Sequence, residues 1–151
     1  MKRFPIIATL FILLATLISG CRQNAVYMRY EEVGDWQSTK KIAFMTDSIT
    51  EDIIAEELLG LRIRQSYPYK SITVVVQQKI LPYGNAWDDT VRCELTDKAG
   101  RHTANGFGYL QYEFPVRKVS LHKGEKVELS VRHVMKKEYV SGISDVGIII
   151  R

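Results

Sequence analysis

Lys126-Val127-Glu128-Leu129-Ser130-Val131-Arg132-His133-Val134-Met135 decides the fold. Val127, Leu129, Val131, His133 and Met135 fall on one side of an extended chain, and Glu128, Ser130 and Arg132 on the other. A period of two marks a strand with one face on a core and the other in water. The same period recurs outward from it. In Glu57–Gln65, Leu59, Leu61 and Ile63 oppose Arg62 and Arg64; in Lys70–Lys79, Ile72, Val74 and Val76 alternate with Thr73, Val75 and Gln77. Lys41–Met45, Thr90–Thr96, Gly106–Phe114, Val116–Leu121 and Val146–Arg151 read as further strands, the last buried on both faces through Ile148-Ile149-Ile150.

Between the runs stand Asp97-Lys98-Ala99-Gly100, Asn105-Gly106, Pro82-Tyr83-Gly84-Asn85 and Lys123-Gly124, turn chemistries that tolerate tight reversal. The pattern predicts an all-β chain, an antiparallel β-sandwich, jelly-roll-like, of about seven to nine strands. The one helix candidate is Thr50–Leu59, opened by Thr50 with Glu51 and Asp52 in its first turn. Arg22–Val33 reads as an extended tether whose Tyr27, Met28 and Tyr30 can dock on the domain.

Composition agrees with a folded domain: 151 residues, 46% hydrophobic and 25% charged, with Gly 10, Pro 4 and Cys 2. Disordered, collagen-like and disulfide-stapled chains are excluded, as is a four-cysteine zinc site. The formal charge of +4 comes from 21 Lys+Arg against 17 Asp+Glu; without Lys2 and Arg3, 19 stand against 17. That balance gives no support to a nucleic-acid partner, which wants a concentrated basic face.

Residues 1–20 read as a signal peptide: basic Lys2 and Arg3, an apolar run Ile6–Leu17, then Ser19 and Gly20 before Cys21. The run falls short of the roughly 20 apolar residues that span a bilayer. Ile18-Ser19-Gly20-Cys21 resembles the bacterial lipobox, in which small residues admit the peptidase and the thiol takes the lipid. Cys21 is therefore the expected lipidation site, carrying palmitate-type acyl chains that hold the protein to a membrane. The expected organisation is a signal peptide over 1–20, a lipidated N-terminus and tether over 21–33, and the sandwich domain over 34–151. Arg22, not Asp, follows Cys21, so a retention signal for the inner membrane is missing and the expected address is the outer membrane, facing the periplasm.

Chemistry-bearing residues are sparse. Cys93 sits in the alternating run Thr90–Leu95 and reads as a buried thiol. His102 and His122 lie near turns, and His133 lies on the apolar face of its strand, where hydrogen bonding to backbone fits better than catalysis. No histidine makes ligand spacing with a carboxylate, so neither metal nor cofactor is expected. Glu31-Glu32, Glu51-Asp52, Glu56-Glu57 and Asp88-Asp89 read as solvated charges, and no nucleophile elbow, phosphate loop or calcium loop occurs, so an enzyme is not expected. Trp36, Tyr67, Tyr69, Tyr83 and Trp87 stand in or beside loops, where rings meet partner proteins, stack on sugar, or close the rim of a core. Arg62, Arg64 and Lys79 read either as a basic strip on one outer face or as ordinary solvated charges.

Taken together, these residues resemble the gliding-motility lipoprotein GldH family over nearly the whole mature chain. Tyr30 and Trp36 follow the lipobox cysteine, and the strand Leu59–Arg64 runs into Ser66-Tyr67-Pro68-Tyr69. Asp89-Thr90-Val91 and Glu94 to Gly100, with its Asp97-x-x-Gly100 turn, match the family, as does Gly106-Phe107-Gly108. The closing elements are the most specific: His133-Val134-Met135 and Gly142-Ile143-Ser144-Asp145-Val146-Gly147. Arg101-His102 replaces the family's usual aromatic near Gly100, and Asp145 is expected to cap a turn through its own backbone amides. The resemblance implies a non-enzymatic envelope lipoprotein needed for gliding and linked to type IX secretion. Its expected partners are the membrane and other envelope proteins of that machinery; a glycan-binding lipoprotein using Trp36 or Trp87 is the alternative.

Overall fold

A computed structural model describes residues 25–82 and 84–151; the expected signal peptide and lipidation site at Cys21, within residues 1–24, and Tyr83 lie outside the described residues. The described chain is all-β, with ten strands in chain order: β1 (Tyr27–Glu32), β2 (Trp36–Gln37), β3 (Ile42–Met45), β4 (Ile53–Ile63), β5 (Ser71–Leu81), β6 (Ala86–Glu94), β7 (Leu110–Leu121), β8 (Lys126–His133), β9 (Tyr139–Val140) and β10 (Ile143–Ile150). A first sheet orders β1-β10-β4-β7 and a second β3-β8-β5-β6, with β2 and β9 as a two-residue ribbon. All pairings between these strands are antiparallel.

The two sheets enclose a core drawn from the inward phase of each strand. Leu59, Leu61 and Ile63 of β4 meet Ile72, Val74 and Val76 of β5, with Val127, Leu129 and Val131 of β8 and Val146, Ile148 and Ile150 of β10. At about 25 cal/mol per Å² of apolar surface removed from water, this burial is the main stabilising term, since Cys93 is a free thiol and the described residues hold no disulfide.

Three expectations are corrected. Thr50–Leu59 is not a helix: from Ile53 it belongs to β4, paired with β7 all the way from Ile53↔Leu121 to Ile63↔Leu110. Its Glu, Ala and Leu residues favour a helix locally, but the pairing and the inward phase of Ile53, Ala55, Leu59, Leu61 and Ile63 override that preference. Tyr27–Glu32 is not a tether but a strand, because β10 needs a neighbour on its second side and takes β1 from Tyr27↔Ile150 to Glu32↔Asp145. Gly106–Phe114 and Val116–Leu121 are not two strands; β7 is one edge strand starting at Leu110. Its register shifts opposite Glu57/Leu58, where Leu58 faces Pro115 and Glu57 faces Arg117. The extra residue, Val116, is a bulge that switches the inward phase from even positions (Leu110, Tyr112, Phe114) to odd ones (Val119, Leu121). Pro115 is accommodated because β7 is an edge.

Candidate functional site

The loop aromatics separate once the chain is folded. Trp36 is fully buried: its Nε1 donates to the Lys40 carbonyl at 2.9 Å, and its ring meets His133 edge-on, with centroids 5.3 Å apart. His133 Nε2 lies 2.9 Å from the Trp36 carbonyl, so that nitrogen carries the proton and donates. The core-histidine reading therefore holds. Tyr67 is also buried, packed against Gly142, and burial pushes its phenol well above the ordinary range. A Cβ at Gly142, whose φ is 94°, would lie 3.2 Å from the Tyr67 ring, so glycine answers both the turn and the contact. Trp36 and Tyr67 thus seal the interior and are corrected as partner-surface residues; Tyr69 and Trp87 keep partly exposed rings.

Trp87 belongs to a group that only the fold assembles. On edge strand β6, Trp87, Asp89, Val91 and Cys93 share the phase that faces the first sheet. Across the gap on β7 stands Arg117, which donates to Asp89 through Nε at 2.6 Å and Nη2 at 2.9 Å. Its guanidinium also lies 4.7 Å from the Trp87 ring centroid. Beside Arg117 in register sits Glu57, fully buried, with neither carboxylate oxygen hydrogen-bonded. Desolvation raises its pKa from 4.5 to about 7, with Arg117 pulling it down and Asp89 pushing it up. Glu57 and Asp89 are not the solvated charges that the sequence predicts: Glu57 points inward because it falls on the odd phase of β4, and Asp89 is held by Arg117. Glu57 is the missed signal, visible once residues 53–63 are read as a strand. A cleft of about 380 Å³ opens beside this group, lined in part by Ile80, Asn85, Trp87, Arg117, His122 and Glu125.

The family-motif positions are structural. Asp97 accepts from the Arg101 amide at 2.9 Å and from its Nε at 2.9 Å, which holds the Asp97 carboxyl below its ordinary range. Arg101 therefore clamps the turn that Gly100 completes. Gly106 and Gly108 lie in the loop before β7, not in a strand. Met135 Sδ accepts from the Thr73 amide at 3.4 Å. Asp145 lies inside β10 at its register shift and accepts from the Ser144 hydroxyl at 2.7 Å; it caps no turn. Gly147 and Gly60 are cross-strand partners under the Tyr30 ring, and a Cβ on Gly147 would come within 2.6 Å of Tyr30 Cδ1. Arg62 covers the other face of Tyr30 at 4.1 Å from its centroid. Arg62 is thus on the first sheet and Lys79 on the second, so no common basic strip forms. Cys93 is buried and its thiol is pushed up to about 12 by desolvation, which leaves it inert at neutral pH. Among the described residues, no group of three or more His, Cys, Asp or Glu side chains is placed to hold a metal ion.

Fold and site define a class: an antiparallel two-sheet sandwich whose inward charges are paired or shut away and whose open aromatic surface lies on loops. The chain belongs to the GldH lipoprotein family, whose model matches residues 25–150. Membership makes it a lipid-anchored protein of the cell envelope linked to gliding motility. No curated protein matches the chain. Among solved structures it is similar to a family 35 carbohydrate-binding module, "CBM35 from Cellvibrio japonicus Abf62", at 12% identity and a TM-score of 0.38, covering 86% of this chain and 92% of that one. A "Family 16 Carbohydrate Binding Module-2" matches at 13% identity and a TM-score of 0.24, over 76% of this chain and 68% of that one. Likenesses this distant carry nothing about ligands.

Proposed function

We propose that the protein is a non-enzymatic docking component of the gliding machinery, fixed by acyl chains on Cys21 to the outer membrane on its periplasmic side and working beside type IX secretion. The observation that carries this reading is the place where the chain enters the sandwich. The Val26 amide already donates to the Ile150 carbonyl at 2.8 Å, leaving Arg22 to Ala25 between Cys21 and the fold. Such a link reaches at most about 18 Å, so an acylated Cys21 holds one end of a rigid body close to lipid. The inward carboxylates support a structural role: Asp89 is neutralised by Arg117 and Glu57 has no exposed surface. Metabolic labelling with an alkynyl palmitate tests the anchor. Label is expected in the wild type and absent from Cys21→Ala; unlabelled wild type defeats the reading.

A second reading is glycan binding in the cleft beside Trp87, favoured by the cleft's polar lining. It ranks second because Arg117 occupies one face of the ring. A glycan array decides it: binding that vanishes in Trp87→Ala supports it, and a blank array removes it.

A further inference from the structure

The antiparallel pairings sort every connection to one of two ends. β1 begins beside the end of β10, β4 begins beside the end of β7, and the links 46–52, 82–85 and 122–125 lie with them. This end receives the N-terminal segment and carries Arg151. The links 33–41, 64–70, 95–109 and 134–142 lie at the other end. Charge divides the same way. The links at the first end carry Asp47, Glu51, Asp52 and Glu125 against Lys123, with Arg151 beside them. Those at the far end carry eight Lys and Arg residues against Asp35, Asp97 and Glu138. All eight are exposed, and all but Arg101 make no salt bridge among the described residues.

Exposed apolar side chains divide too. Near the first end they are aliphatic, Ile54 at 82% exposure and Val26 at 51%; at the far end they are largely aromatic, Phe107 at 104% and Tyr139 at 54%. Tyr69 stands between two grooves. One, of about 390 Å³, includes Arg64 and Tyr139, and the other, of about 430 Å³, includes Val134, Lys136 and Lys137. An aromatic centre within a charged rim is the anatomy of a protein interface.

We propose that the far end docks an acidic protein surface, with Tyr69 and Tyr139 at the centre and Arg64, Lys70, Lys136 and Lys137 as the rim. The membrane that holds Cys21 is not this partner. β4 alone has 11 residues, roughly 36 Å of strand, which separates the basic end from the anchored one by several Debye lengths of about 8 Å. The proposal rests on the anchoring reading for its orientation only.

The test uses the full chain solubilised in detergent and three probes: a random poly(Glu,Tyr) copolymer, heparin, and phosphatidylglycerol vesicles. The copolymer is expected to bind in preference to the other two, with affinity falling as salt rises. K136E/K137E should weaken it at least tenfold and Tyr139→Ser severalfold, while D47K/E51K leaves it unchanged. All these positions are exposed, and circular dichroism checks folding; K136Q/K137Q, expected to fall between wild type and the reversal, guards against a folding artefact. Wild-type affinity in K136E/K137E, equal loss in D47K/E51K, or preference for heparin or vesicles overturns the proposal. A photo-crosslinker at Tyr139 in intact cells should mark an acidic peptide, and marking of lipid or a basic peptide counts against it. Because copolymer binding needs no anchor, its failure leaves palmitate labelling of Cys21 unaffected.

Discussion

The outer faces of the two sheets obey different rules. On the second sheet the pattern is that of an ordinary half-buried sheet: Thr73, Gln77 and Lys79 of β5 and Glu128, Ser130 and Arg132 of β8 point to solvent. Lys41 Nζ donates to Gln77 Oε1 at 2.6 Å, and Gln77 Nε2 to Asp88 Oδ2 at 3.0 Å. The first sheet instead carries a small apolar layer on its outside. Met28, Ile149, Leu58 and Pro115 form one row across its four strands, and Ile149 is fully buried there. In the next row Tyr30 lies flat over Gly147 and Gly60 with Arg62 above it. The lesson is that period two reports which faces meet water. It is clear in β8 and absent from β10, because β10 is central in a sheet covered on both sides.

This contrast can be broken at graded sites. Ile149→Ala is expected to lower stability by about 2–5 kcal/mol in urea unfolding, whereas Val75→Ala on the outer face of the second sheet stays below about 1. Equal losses would mean that the outer apolar row is not a second core.

Next in size is a pH effect from Glu57 on the inner side of the first sheet. Its pKa is raised from 4.5 to about 7, so between those values the folded state binds more protons than the unfolded chain. Stability should therefore fall as pH rises from about 4.5 through 7 and level off above, by up to about 3 kcal/mol. Glu57→Gln should abolish that slope and be the more stable protein at pH 8. An unchanged slope would move the titration to another group.

Gly147→Ala should cost about 1–2 kcal/mol by lifting Tyr30 from its seat. In that background Tyr30→Ala should add less than it does alone; strict additivity would refute the Tyr30–Gly147 contact. Least affected is Thr90→Ala, on the exposed face of β6, expected within about 0.5 kcal/mol of wild type.

Legibility followed the same physics. β3, β5 and β8 were readable because each belongs to the second sheet, where one face is wet; β6 was readable only from Thr90, since it starts at Ala86. β7 was half readable: the bulge at Val116 reverses its phase, so one strand looks like two. β1 and the start of β4 were hidden, since Tyr27–Glu32 has no period of its own and Ile53–Leu59 mixes helix formers with a buried glutamate. His133 and Cys93 were legible from phase alone, whereas Met135 lies past the end of β8 and meets the Thr73 amide through its sulfur. The Arg117–Asp89–Trp87 group was not, because its members come from two edge strands that meet only when the sheets stack.

By itself the sequence determined the class of fold and the family, since alternation and the closing Gly142–Gly147 element are both local in the chain. Tertiary structure decided what is exposed and where charge collects. Trp36 and Tyr67 vanish into the core, Glu57 is stranded inside, and a chain of formal charge +4 becomes a body with one acidic and one strongly basic end. Strand pairing dictates which loops share an end, and no count along the chain contains that information.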